Sequence, residues 1–220
     1  RGIVRGEVTV AASSTPGAYL VPELLQQFQR QYPEVRPILR VGDSAEVLQW
    51  ILDYQAPLGV IGEMNIASGL QSVEIGSDFL QLVSAAGDPL CRVKQVKPEH
   101  LRCRTLLTRE QGSSTRAGAQ SLLGERLKEF ERVVEVPSPE VIKQAVAAGL
   151  GVAVLSSWAT SLEEAARLLQ PVRDPLLRQA RRFFLVKRQD RVLGGGAAAL
   201  WNCLRTRKPK AASRKRAPSA

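Results

Sequence analysis

The sequence predicts an α/β fold, and three observations carry the prediction. The apolar runs at residues 58–61 and 152–155 are short and continuous rather than alternating, as in strands buried on both faces. Segments with apolar residues at helical spacing stand between the strands: Leu20, Leu24, Leu25 and Phe28 in one, Val47, Leu48, Ile51 and Leu52 in another. Turns rich in Ser, Thr, Asp and Gly join strand to helix repeatedly, the pattern of right-handed βαβ crossovers.

In chain order, residues 7–12 alternate Val8, Val10 and Ala12 with polar residues and read as a strand. Ser13-Ser14-Thr15-Pro16-Gly17 is a capping cluster, and one helix carrying Leu20 to Phe28 is expected to stop before Pro33. Residues 36–41 give a second strand, Gly42-Asp43-Ser44 a cap, and the face of Val47 to Leu52 a helix. The third strand, 58–61, ends at Gly62-Glu63. Two strand candidates lie between Leu70 and Val83, with a turn expected at Gly76-Ser77-Asp78. A polar connector runs from Gly87 through Pro98.

A second cycle opens at residues 104–110, a strand centred on Leu106 and Leu107. Gln111-Gly112-Ser113-Ser114-Thr115-Arg116 turns it into a helix over 117–130, where Leu122, Leu123, Leu127 and Phe130 recur at helical spacing. Residues 132–136 form a strand, Ser138 caps and Pro139 opens a helix over 140–148, and Gly149 ends it. Strands at 152–155 and 182–187 and a helix at 197–204 complete the chain, and Trp50, Trp158 and Trp201 read as packing residues.

Composition narrows the function classes. The 220 residues are 44% hydrophobic and 24% charged, ordinary values for a globular protein. No apolar run approaches the ~20 residues of a membrane span. Of the net charge of +10, seven basic residues and no acid fall between Arg205 and Ala220; the remaining 24 basic and all 21 acidic residues precede them. The body is therefore nearly balanced and is no basic nucleic-acid-binding domain, and the tail 206–220 is expected to be disordered. Cys91, Cys103 and Cys203 are odd in number and lack CxxC spacing, which suits reduced thiols in a cytoplasmic protein better than a disulfide or zinc site. A redox role for Cys91 and Cys103 stays open. His100 is the sole histidine, so neither a metal cluster nor a Ser–His–Asp triad is expected, and no cofactor or enzyme activity is predicted. Met64 is the one methionine, and an upstream segment is expected before Arg1.

Four strand-to-helix turns present polar caps: Ser13, Ser14 and Thr15; Asp43 and Ser44; Ser113, Ser114, Thr115 and Arg116; and Ser138. Each is an ordinary helix cap when taken alone. Together they point to a cleft at the carboxyl ends of the strands, where helix N-termini offer unpaired N–H groups to an anion and Arg116 can fork onto it. The expected ligand is a small carboxylate, phosphate or sulfate-like anion.

The ordered series of motifs resembles the effector-binding domain of LysR-type transcriptional regulators over nearly all of residues 2–205. It comprises Gly6 to Ser13, Tyr19-Leu20-Val21-Pro22-Glu23-Leu24-Leu25 with Phe28 and Tyr32-Pro33, Gly42-Asp43-Ser44, Gly112 to Arg116, and the stretch Ile142 to Ala153. The resemblance implies a two-lobed type II periplasmic-binding-protein-like fold with two inter-lobe crossovers, near Val83 and Leu168. Lobe I would hold residues 1–83 and 169–205, and lobe II residues 84–168. It also implies an effector between the lobes, at the residues above together with Gly62. Self-association as a dimer, or a tetramer in the full-length protein, is expected, with DNA bound by an upstream winged helix-turn-helix. One departure stands out: the family's usual Asp before the third strand is here Pro57, within Gln55-Ala56-Pro57-Leu58. The alternatives are a solute-binding protein of the same fold and a small two-lobed enzyme.

Overall fold

The computed structural model describes residues 4–66, 68–206 and 208–209. Its strands join one nine-stranded sheet among the described residues. They are β1 (Gly6–Ser13), β2 (Val35–Gly42), β3 (Leu58–Gly62), β4 (Leu70–Ala85), β5 (Thr105–Thr108), β6 (Arg132–Glu135), β7 (Val152–Ser156), β8 (Leu169–Pro171) and β9 (Arg178–Arg188). The order is β2-β1-β3-β9-β4-β7-β5-β6, with β8 on β4. The helices are α1 (Ser14–Tyr19), α2 (Val21–Gln31), α3 (Ser44–Leu52), α4 (Ser114–Leu123), α5 (Pro139–Ala147), α6 (Ser161–Ala165) and α7 (Gly195–Arg205).

The sheet has two parallel halves, and period-2 side-chain alternation gives each half a core on both faces. In β1, Val10 and Ala12 join one cluster with Phe28 and Trp201, while Ala11 joins Val47 and Ile51 on the other face. In the second half Leu106, Val152 and Val154 pack under α4, and Leu107, Ala153 and Leu155 pack against α5. β1 is parallel to β2 and β3, and β5 is parallel to β6 and β7. The halves meet along β4 and β9, which run antiparallel over nearly their whole length. This is the two-lobed fold that the motif series implied.

Three local expectations change. The turn at Gly76-Ser77-Asp78 lies inside β4: opposite β9, Glu74 faces Phe184 and Gly76 faces Phe183, so Ile75 is the extra residue of a bulge. Local turn propensity loses here to a long-range pair, since Asp78 sits directly opposite Arg181 and binds it. The first helix is two helices, broken at Leu20, because Pro22 has no N–H to continue the ladder. The helix expected over 117–130 ends at Leu123, where Gly124 takes φ +53°, and a tight 3-10 turn (Gly124–Glu129) continues the apolar spacing. β8 carries no sequence pattern of its own. At the Pro57 departure, the Ala56 carbonyl accepts from Arg191 Nη1 at 3.2 Å. The tail expected to be disordered lies almost wholly outside the described residues.

Candidate functional site

The parallel strands of both halves aim their carboxyl ends at one region, and four helix N-termini converge on it. β3 lies beside β1 with Val60 opposite Ala12, which brings Gly62 level with Ser14. A side chain at Gly62 would collide with Ser114, the first residue of α4. Glycine is thus what lets β3 of the first half touch α4 of the second. Further contacts close the region from the other side. Arg109 Nη1 donates to Ser14 Oγ at 3.0 Å, the Ala45 N–H donates to the Gly112 carbonyl at 3.2 Å, and Gly112, at φ +95°, lies against the Asp43 carboxylate. A pocket of about 480 Å³ opens between Ser14, Asp43, Glu46, Arg109, Glu110 and Ser138.

The four helix starts are not equivalent. At α3, Asp43 Oδ1 accepts from the Glu46 N–H at 2.8 Å and Glu46 Oε2 accepts from the Asp43 N–H at 2.8 Å, a closed capping box. At α5, Ser138 Oγ accepts from the Val141 N–H at 3.3 Å. Ser13 and Ser113, at the N-caps of α1 and α4, make no such bond. Two hydroxyls are buried without a hydrogen-bond partner among the described residues, Ser13 Oγ and Ser44 Oγ, at 4% and 1% residue exposure. An unpaired buried polar group is costly, so such groups concentrate where a ligand or water completes them. The third such atom, Glu163 Oε2, belongs to a carboxylate whose other oxygen holds Lys143 Nζ at 2.5 Å.

The cations are committed. Arg116, expected to fork onto a ligand, instead donates to Glu135 and, at 3.1 Å, to the Arg109 carbonyl. Two other arginines stand nearer the hydroxyls, and the sequence reading missed both. Arg109 is 4% exposed. Arg181 grips Asp78 through Nε at 3.0 Å and Nη2 at 2.6 Å, and its Nη1 donates to Thr115 Oγ1 at 2.9 Å. Asp78 also accepts from Ser156 Oγ. Arg109 adjoins the central motif and was within reach of inspection. Arg181 lies 66 residues from Thr115, and no local pattern links them. Beyond Gly62, the Arg182 guanidinium holds the Glu63 carboxyl below the usual range against the opposing pull of burial.

The structure thus sets Gly62 against Ser114, ties Ser14 to Arg109 and Thr115 to Arg181, buries Ser13, Thr15 and Ser113 at the starts of α1 and α4, and gives Asp43 and Ser138 capping duties on the pocket wall. Ser44 lies two residues beyond Gly42, the β2 residue paired with Ser13.

Comparison with known proteins follows the same lines. A family model described as the LysR substrate binding domain matches residues 1–209. The HTH-type transcriptional regulator CbbR of Rhizobium meliloti (strain 1021) is 32% identical over 198 residues, which cover 87% of this chain and 61% of the relative. The uncharacterized HTH-type transcriptional regulator YeiE of Escherichia coli (strain K12) is 32% identical over 188 residues, covering 86% of this chain and 64% of the relative. The chain therefore spans under two thirds of these relatives. Among solved structures, the Synechocystis PCC6803 CcmR regulatory domain in complex with 2-PG superposes with a TM-score of 0.82 at 24% identity, covering 92% of this chain and 97% of that one. The effector-binding domain of QuiR in complex with shikimate gives 0.79 at 14% identity, covering 92% and 96%.

Proposed function

The chain belongs to the LysR substrate-binding-domain family, and from that premise we propose that it senses a small anionic metabolite in the cleft between its two halves and thereby controls transcription. The carrying observation is the pair of buried, unpartnered hydroxyls of Ser13 and Ser44; Ala45, next to Ser44, bonds Gly112 in the loop that leads to the uncapped start of α4. Backbone N–H groups at that helix start, with the helix dipole, favour negative charge. Ser13, Thr15, Ser113, Ser114 and Thr115 supply the donors in this reading, Gly62 the close approach, and Arg181, neutralised by Asp78, orients the Thr115 hydroxyl from behind. Ser44 adds the second unpaired hydroxyl, Asp43 and Ser138 stand on the wall of the site, and Arg116 braces the loop that carries Arg109. Relatives named as transcriptional regulators, and neighbours solved with 2-PG and with the carboxylate shikimate, favour this reading over a solute-binding protein.

The lobes are assigned as β1–β3 with α1–α3 and α7, and β5–β8 with α4–α6. In this reading the chain passes between the lobes along the paired strands β4 and β9. The effector binds one lobe arrangement better than another and shifts the population, which moves DNA-binding domains carried by an upstream segment of a cytoplasmic oligomer. Self-association would use the sheet's two outer strands. Ile38 and Val41 on β2, and Val133 and Val134 on β6, are exposed there.

A thermal-shift screen of small carboxylates, inorganic phosphate, sulfate and 2-PG tests the reading, repeated on Ser13→Ala, Thr115→Ala and Arg116→Ala. A ligand at 100 times its Kd stabilises the fold by about 2.7 kcal/mol. The shift should vanish in the first two variants and persist in Arg116→Ala. A hit that all three variants retain would move the ligand elsewhere.

A further inference from the structure

Arg109 and Glu110 face each other on the wall of the 480 Å³ pocket, in the loop between β5 and α4. Arg109 Nε and Nη2 meet the two oxygens of Glu110 at 2.7 and 2.5 Å, while Nη1 holds Ser14 Oγ at 3.0 Å on the opposite half of the molecule. A two-pronged fork is the geometry by which arginine recognises a carboxylate or phosphate, and here a neighbouring side chain occupies it.

The other two arginines are held differently. The Asp78 partner of Arg181 is fully buried, and the Glu135 partner of Arg116 stands on β6 outside the pocket. Glu110 alone of the three carboxylates lines the pocket, is partly exposed (19% of its side chain) and sits on a loop.

Resting on the anion-cleft reading above, we propose that Glu110 is a tethered counter-anion: it fills the Arg109 fork until a ligand's carboxylate or phosphate takes its place. The exchange keeps Arg109 paired in both states, so no buried guanidinium is left bare. It also sets specificity. A ligand without an anionic group of at least two oxygens cannot displace Glu110, and every ligand that binds does so against a built-in competitor. Ser14 stays on Nη1 throughout, so the exchange occurs at the contact that ties the two halves together.

Calorimetric titration of the full chain with inorganic phosphate tests this, on the parent protein and on Glu110→Gln, Arg109→Gln, the Arg109→Gln/Glu110→Gln double variant and Glu46→Gln. Glu46 lines the same pocket, and glutamine preserves its capping role. Glu110→Gln should bind phosphate about tenfold more tightly, the scale of one charged hydrogen-bond partner released. The double variant should bind no better than Arg109→Gln, and Glu46→Gln should gain far less than Glu110→Gln. Equal affinity of the parent and Glu110→Gln overturns the proposal alone. So does an equal gain from Glu46→Gln, which would mark a long-range charge effect. Should Arg109→Gln fail to fold, the two glutamate variants decide by themselves. Phosphate binding by none of the forms overturns the cleft reading itself.

Discussion

Gly62→Ala probes the contact on which the cleft depends. Gly62 has no positive φ, so alanine fits its backbone and the cost is steric. The new Cβ would lie 3.1 Å from Ser114 Cβ and well inside the contact limit of Ser114 Oγ. Overpacking of this kind costs about 1–3 kcal/mol, offset by roughly 0.4–1 kcal/mol from the stiffer unfolded chain. A net loss of about 1–2 kcal/mol should lower Tm by roughly 2–8 °C in a chain of this size. Because β3 is held by β1 and β9 on both sides, the start of α4 should give way first. Thermal melts combined with amide hydrogen exchange check both parts: the amides of Ser114 to Ala117 should exchange faster, those of β3 unchanged. Ser114→Gly in the same chain removes both clashing atoms and should recover most of the lost Tm. A Gly62→Ala protein with parental Tm and parental exchange at α4 would refute the reasoning, as would a double variant no better than the single.

Asp78→Ala strands the 3%-exposed Arg181 and should cost about 3–5 kcal/mol in urea unfolding, whereas Glu135→Ala, which frees the partly exposed Arg116, should cost about 1 kcal/mol or less. Burial, with the Asp88 charge adding to it, pushes the Cys91 thiol up to about 11, so iodoacetamide should label exposed Cys103 at neutral pH and leave Cys91 until the fold opens. That result would argue against a redox pair. Burial also raises the Glu164 carboxyl above its ordinary value, although Thr160 and Gln81 donate to it. A raised folded-state value means stability present below the unfolded pKa and lost as pH rises through the folded one. Glu164→Gln should therefore flatten the fall in Tm as pH rises from about 4.5 towards neutrality.

The sequence carried what depends on neighbours along the chain. β1, β3, β7 and α7 follow from apolar runs and spacing, and α5 from Ser138, Pro139 and Gly149, because propensity, pattern and capping agree there. Two of the misses share one cause, a partner distant in the chain. Gly76-Ser77-Asp78 reads as a turn until β9 arrives from a hundred residues away, and Arg181 meets Thr115 only through the sheet. The site divides in the same way. Its hydroxyl loops were legible as helix starts, but whether a cap is already satisfied, as at Asp43, or left open, as at Ser113, depends on packing around it. Arg116 shows the limit most plainly. A basic residue in a promising loop was read as a ligand fork, and Glu135, brought close by the parallel pairing of β5 and β6, takes its charge instead.

The most direct test of the account is amide chemical-shift mapping of the ¹⁵N-labelled chain titrated with inorganic phosphate and with the best hit of the thermal screen. The account predicts perturbations concentrated at Ser13 to Thr15, Gly62 and Arg109 to Arg116, with the capped starts of α3 and α5 moving less. Perturbations centred instead on Val192 to Ala197, beside the second, smaller pocket at the start of α7, would contradict it.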